Sequence, residues 1–151
     1  YVLLPRNPSK TAGQIYKYLK KRFKVKAAGV IITDSHSTPL RRGASGISIA
    51  YRGFIGLKDY RGKKDVFGRK LIMEQANIVD ALAAAAVLLM GEGDEQTPLA
   101  LIENIPSITF QRNAPTKREL SEFFVDLKDD IFAPLFNLKR LKKGKRKALN
   151  P

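Results

Sequence analysis

The sequence predicts a mixed α+β domain in which a sheet is packed with helices, and three observations carry that prediction. Residues 27–33 (AAGVIIT) form a continuous run rich in β-branched side chains, and Ile47, Ile49 and Tyr51 alternate with smaller residues. Residues 74–90 are rich in alanine, with Ile78, Leu82, Ala85 and Leu89 on one helical face. Third, 151 residues at 44% hydrophobic content make about one domain. A chain of that size buries roughly two thirds of its unfolded surface, which excludes a wholly disordered polypeptide. Pattern alone leaves parallel and antiparallel strand order open.

In chain order, Tyr1 to Leu4 read as the end of a buried strand closed by Pro5, so the chain is expected to begin inside a domain. Asn7-Pro8-Ser9 is a turn that launches a helix, and Ile15, Leu19 and Phe23 recur every fourth residue as its apolar stripe. The run 27–33 predicts a strand buried on both faces that ends at Asp34, followed by a polar loop over 35–39 and then Arg41-Arg42-Gly43. The alternation around Ile47 to Tyr51 predicts a second strand. Gly53, Gly56, Gly62 and Gly68 interrupt the next stretch, so residues 58–69 (KDYRGKKDVFGR) read as turns or a long loop, a kind of segment that often carries function. The helix over 74–90 stops at Gly91, and its second face is nearly as apolar as its first, which predicts burial on both sides. Short strands are expected at 99–102 and 107–110. Thr116 and Glu119 have capping-box spacing for a last helix through Phe123, Phe124 and Leu127. The expected division is a domain over 1–138 and a basic tail over 139–151.

The formal charge of +14 sits at the two ends. Residues 1–26 hold eight Lys/Arg and residues 139–147 seven, with no acid in either stretch, while residues 27–138 hold 13 basic and all 14 acidic residues. A nucleic-acid module, or another polyanion binder acting through these ends, is therefore the alternative to an enzyme. No aromatic residues interleave the tail cations. With no Cys, disulfide frameworks, thiolate metal clusters and cysteine nucleophiles are excluded, and a cytoplasmic location is expected. No apolar run is long enough to cross a bilayer as a helix. His36 is the one imidazole, so histidine-rich zinc sites are excluded, and neither a Walker A pattern nor GxGxxG occurs.

Asp34, at the carboxyl end of a predicted buried strand, is either a Mg²⁺ or Mn²⁺ ligand or a loop cap. Asp59 and Asp65 bracket Arg61, Lys63 and Lys64, which makes that loop either a metal- and phosphate-contacting segment or a solvated charged turn. Glu74 and Gln75 stand at the expected helix start, where an acid is favoured by the helix dipole in any case. Arg41 and Arg42 are further candidate anion contacts.

Taken together, VLLP-x-x-P, IITD, R-x-G, DYRGKKDVFGRKL, the Ala-rich helix ending in Met90-Gly91 and a late DDIF resemble the coenzyme F-420:L-glutamate ligase (F-420-0:gamma-glutamyl ligase) family. The resemblance runs from Tyr1 to about Phe132, and its most specific part is D-Y-x-G-x-x-D-x-x-G-x-x-L over residues 59–71. It implies a homodimeric ligase that forms carbon-nitrogen bonds at the cost of GTP, joining L-glutamate to a deazaflavin precursor with Mg²⁺ or Mn²⁺. It further implies that Asp34 is a metal ligand and that Glu74 and Gln75 fall where the family places others. After Asp34 the chain reads S-H-S-T-P where the family reads T-x-G-R-P. The family's N-terminal motifs K-x-x-S-x-x-E-G and A-G-I-D-x-S-N do not occur, so a piece of a longer ligase-like chain or a diverged homologue is expected.

Overall fold

A computed structural model describes residues 4–106 and 108–135. Its elements are helix α1 (Pro8–Phe23), strands β1 (Val30–Ser37), β2 (Ala44–Arg52), β3 (Leu57–Asp59) and β4 (Gln75–Asn77), helix α2 (Ile78–Met90) and helix α3 (Lys117–Phe123), followed by two single 3₁₀ turns. The fold is mixed α+β, as the sequence predicts, and both two-stranded sheets, β1-β2 and β3-β4, are antiparallel.

The β1-β2 hairpin is the centre, with α1 on one face and α2 on the other. Ala12 and Tyr16 of α1 bury Val30 and Ala50, while Val79 of α2 packs with Tyr51 and Phe54 on the opposite face. Strand alternation sends neighbouring residues to opposite faces, which explains why Val30 and Ile31 belong to different clusters. The register is Ile32↔Ala50 and then Thr33↔Ser48, so Ile49 is an extra residue, a β-bulge that reverses the facing of the rest of the strand. Gly46 and Ser48 thereby turn toward α2. The Ser48 N–H donates to Asp80 Oδ1 at 2.9 Å, and a Cβ on Gly46 would run into the carbonyl of Ala83.

Several elements differ from expectation. β1 does not end at Asp34 but runs to Ser37, because Ser35 to Ser37 pair with Gly46 to Ala44 across the hairpin; it is buried only at Val30 and exposed from Asp34 onward. The apolar stripe of α1 is Ala12, Tyr16 and Leu19; Ile15 and Phe23 are exposed. Its start is as read: Asn7 caps by accepting from the Lys10 N–H at 2.9 Å, with Pro8 in the first turn. α2 begins at Ile78, since Gln75–Asn77 is taken up pairing with Leu57–Asp59 and Asn77 caps the helix by accepting from the Asp80 N–H. Among the described residues only one side of α2 is covered. Residues 99–102 form no strand and their leucines are exposed. Phe110 makes a single bridge to Phe54, flanked by Ile55 N–H to Thr109 O (2.9 Å) and Gln111 N–H to Gly53 O (2.8 Å). Thr116 and Glu119 form the expected capping box, but α3 stops at Phe123. The expected strand at Tyr1 to Leu4 and the basic tail 139–151 lie outside the described residues, apart from Leu4, which is in no strand.

Candidate functional site: a cationic hairpin and the Asp34 strand

Residues 58–69 are not an open loop but part of one long hairpin that starts at β3 and returns through β4. Beyond the paired strands, Tyr60 N–H donates to Glu74 O (3.0 Å), Gly62 N–H to Leu71 O (2.8 Å), Leu71 N–H to Lys63 O (2.8 Å) and Asp65 N–H to Arg69 O (2.8 Å). Gly62 and Gly68 both have positive φ, 79° and 81°. Each occupies the first position of a bulge that favours glycine: Gly62 and Lys63 oppose Leu71, and Gly68 and Arg69 oppose Asp65. These two bulges account for both glycines of the D-Y-x-G-x-x-D-x-x-G-x-x-L spacing.

The two aspartates of that pattern are also structural. Asp59 accepts the Arg61 N–H (2.8 Å) and grips its guanidinium through Nε (3.0 Å) and Nη2 (2.6 Å). These bonds from Arg61 hold the Asp59 carboxyl well below its usual range, at about 2. Asp65 closes the hairpin tip, accepting the backbone N–H groups of Phe67 (2.8 Å) and Arg69 (2.9 Å) and the Arg69 Nε (3.0 Å). Its carboxyl is likewise held low, first by the Arg69 N–H. With Arg61 and Arg69 so engaged, the remaining cations of the hairpin stand out. Lys63, like Lys58, sits with its Nζ 5.1 Å from the Tyr60 ring centre. Lys64 and Lys70 are directly opposite each other across the hairpin, an arrangement of like charges that is unfavourable until an anion joins it.

Asp34 lies on the other sheet, in mid-strand opposite Ile47, exposed, with Oδ1 accepting the Ser35 N–H at 2.8 Å. Arg41 and Arg42 are exposed in the β1-β2 connection, where Arg41 N–H donates to Thr38 O (3.2 Å). Gln75 pairs with Asp59 in the β3-β4 ladder, so those two side chains share a face. Glu74 falls on the opposite face by alternation, and its Oε2 accepts the Met73 N–H at 3.0 Å. Asp59 is therefore paired with Arg61 and stands opposite Gln75, while Asp34 lies on the β1-β2 sheet and Glu74 and Gln75 face opposite ways on the other hairpin. Among the described residues no group of three or more His, Cys, Asp or Glu side chains is placed to hold a metal ion. These residues alone do not fit a complete Mg²⁺ or Mn²⁺ centre.

Sequence reading missed two positions. Lys70 is found once D-x-x-G is read as a tight bulged turn, which sets residue 64 against residue 70. Asp80, in the Ala-rich segment, ties α2 to β2 through Ser48 and accepts from Asn77 Nδ2 (2.6 Å).

Comparison with known proteins matches residues 1–104 to the family described as F420-0:Gamma-glutamyl ligase. The chain is similar to the coenzyme F420:L-glutamate ligase of Methanococcus maripaludis (strain C6), at 45% identity over 103 residues, 68% of this chain and 41% of the relative. The ligase of the same name from Methanocaldococcus jannaschii is 43% identical over 106 residues (69% and 42%), and that of Halorubrum lacusprofundi 35% over 103 (68% and 39%). The chain thus spans about two fifths of the length of the curated relatives it matches.

Proposed function

The chain belongs to the F420-0:gamma-glutamyl ligase family, and from that premise we propose that it takes part in GTP-dependent, metal-assisted addition of L-glutamate, by an amide (gamma-glutamyl) bond, to a coenzyme F420 precursor. The observation that carries a role for this segment is the hairpin: its acids are consumed by Arg61, Arg69 and its own turns, while Lys64 and Lys70 face each other. Such ligation activates a carboxylate by phosphoryl transfer, and phosphoryl transfer is catalysed mainly by positioning and by cations set against the phosphate oxygens. In this reading Lys64 and Lys70 hold an anionic group of the substrates, GTP phosphate first. Arg61, kept in a fixed orientation by Asp59, limits how that group approaches.

A divalent ion, when bound, neutralises phosphate charge. Asp34 is the ligand we propose from this chain, with its Oδ1 already engaged by Ser35. Among the described residues no group of three or more His, Cys, Asp or Glu side chains completes that donor set.

The test is a glutamate-transfer assay on the longest natural polypeptide that contains this sequence, with GTP, Mn²⁺, L-glutamate and the F420 precursor. Glutamylated product that requires GTP, and is lost in Asp34→Ala with folding intact by circular dichroism, is the expected result. A folded polypeptide that neither binds GTP nor forms product overturns the reading.

A further inference from the structure

Helix α1 carries Lys10, Lys17, Lys20, Lys21 and Arg22 and no acid. Lys10, Gln14, Lys17 and Lys21 follow the i, i+4, i+7, i+11 spacing of one helical face, turned away from the buried Ala12 and Tyr16, and all four are exposed. The row runs about 16 Å along the helix axis. Lys20 and Arg22 are engaged elsewhere: Lys20 Nζ donates to Lys26 O at 2.5 Å, and the Arg22 guanidinium lies 5.6 Å from the Phe23 ring centre.

Local rules do not favour this row. Lys10 stands in the first turn, where the helix dipole disfavours a cation, and no acid accompanies it there. Lys17 and Lys21 are like charges about one turn apart, a pairing that destabilises an isolated helix. The chain holds acids enough to relieve both, since all 14 Asp and Glu are among the described residues, yet none of them forms an ion pair with a cation of α1 there. An external anion extended along the helix relieves both costs at once.

We propose that the outer row of α1 is a docking surface for the phosphate backbone of duplex DNA. Lys10 and Lys17 are separated by about 10 Å along the axis, too far for one phosphate or carboxylate to bridge, whereas a duplex presents about ten phosphate charges over the length of the row. A helix that lies on a lipid surface turns an apolar face to the acyl chains, and this row holds no apolar residue. Single strands are held by stacking successive bases on several aromatic rings, and only Tyr18 borders the row. A duplex keeps its bases stacked inside, and contact with its backbone carries no sequence information, so binding is independent of base sequence.

The longest natural polypeptide that contains this sequence is titrated by fluorescence anisotropy against a labelled mixed-sequence duplex of about 20 base pairs, at salt from about 50 to 200 mM. Lys10→Gln/Lys17→Gln/Lys21→Gln removes three charges while keeping good helix formers. The expected result is binding by the parent, and in the variant an affinity lower by about tenfold or more at low salt, with the slope of log K against log salt smaller by about 2.7, or about 0.9 per lysine. The variant's melting temperature should equal or exceed the parent's, because the repulsion within the row is gone; a lower one contradicts the unfavourable row. Lys10→Arg/Lys17→Arg/Lys21→Arg should retain the parent's affinity and slope. Lys139→Gln/Lys142→Gln/Lys145→Gln removes the same charge from the basic tail and should reduce the slope by less than half as much. A parent that does not bind the duplex at low salt overturns the proposal, as does an unchanged slope in the α1 variant or an equal loss in the tail variant. Tighter binding of oligothymidylate or of phosphatidylserine vesicles than of the duplex also overturns it, assigning the row to a single strand or to a membrane.

Discussion

Replacing Gly46 by alanine adds one methyl group at the point where β2 and α2 are closest. That carbon would run into the Ala83 carbonyl oxygen, with Ala83 C at 2.8 Å and Val87 Cγ2 at 2.7 Å. Comfortable carbon–carbon contact begins at about 3.5 Å, so α2 must withdraw by roughly 1 Å. The obstacle is backbone, which no rotamer change relieves, and withdrawal also stretches the 2.9 Å bond from Ser48 N–H to Asp80. Overpacking of this kind costs about 1–3 kcal/mol, and the expected loss is about 3 kcal/mol. Gly13 is the control. It lies inside α1 with nothing within 4 Å of a built Cβ, so Gly13→Ala should stabilise by about 0.8 kcal/mol through helix propensity. Urea denaturation followed by far-ultraviolet circular dichroism reads both: with m near 2 kcal/mol per M, the midpoint falls by about 1.5 M for Gly46→Ala and rises by about 0.4 M for Gly13→Ala. A Gly46→Ala midpoint within about 0.2 M of the parent protein refutes the close approach of α2 and β2.

Three further outcomes are expected. Asp59 has a folded pKa of about 2, depressed chiefly by its bonds from Arg61, against about 3.9 unfolded; its contribution to the hairpin is present above the unfolded value and fades as pH falls toward 2. The Arg61 amide and Nε proton resonances should therefore titrate with a midpoint near 2, and a midpoint near 4 removes the ion pair. Thr116→Ala, by deleting the cap on Glu119 N–H (3.1 Å), should destabilise by about 1 kcal/mol in urea, with no change counting against the capping box. Asp80→Ala leaves the buried Ser48 N–H without its acceptor and should cost about 2–3 kcal/mol; Asp80→Asn keeps an acceptor and should cost less than half of that, so equal losses argue against this role.

Local chemistry was legible where it depends on neighbours in sequence. Asn7-Pro8, Thr116 with Glu119, and Met90-Gly91 read as helix ends because capping involves residues at most a few positions apart. Features that depend on distant partners were not legible. The extension of β1 past Asp34 requires Ala44–Gly46 across the hairpin, and the late start of α2 requires Leu57–Asp59 to claim Gln75–Asn77. That second displacement moved Gln75 from a helix start onto β4 and left Glu74 just before that strand, facing the opposite way. The 59–71 pattern identified the family from its spacing, yet its aspartates and glycines build the hairpin and the lysines between them carry the charge outward. The outer face of α2 is the reverse case: its composition called for cover on both sides, and the described residues cover one.

In the proposed function the aspartates of the hairpin are scaffold, while Lys64 and Lys70 meet the substrate anion. Steady-state glutamate transfer by the longest natural polypeptide, with Lys64→Ala/Lys70→Ala beside the parent, tests it most directly. A charge-assisted contact is worth about 1.5–3 kcal/mol, so KM for GTP should rise by about tenfold or more with the circular dichroism spectrum and melting temperature unchanged. An unchanged KM for GTP in a folded double variant removes Lys64 and Lys70 from the substrate site.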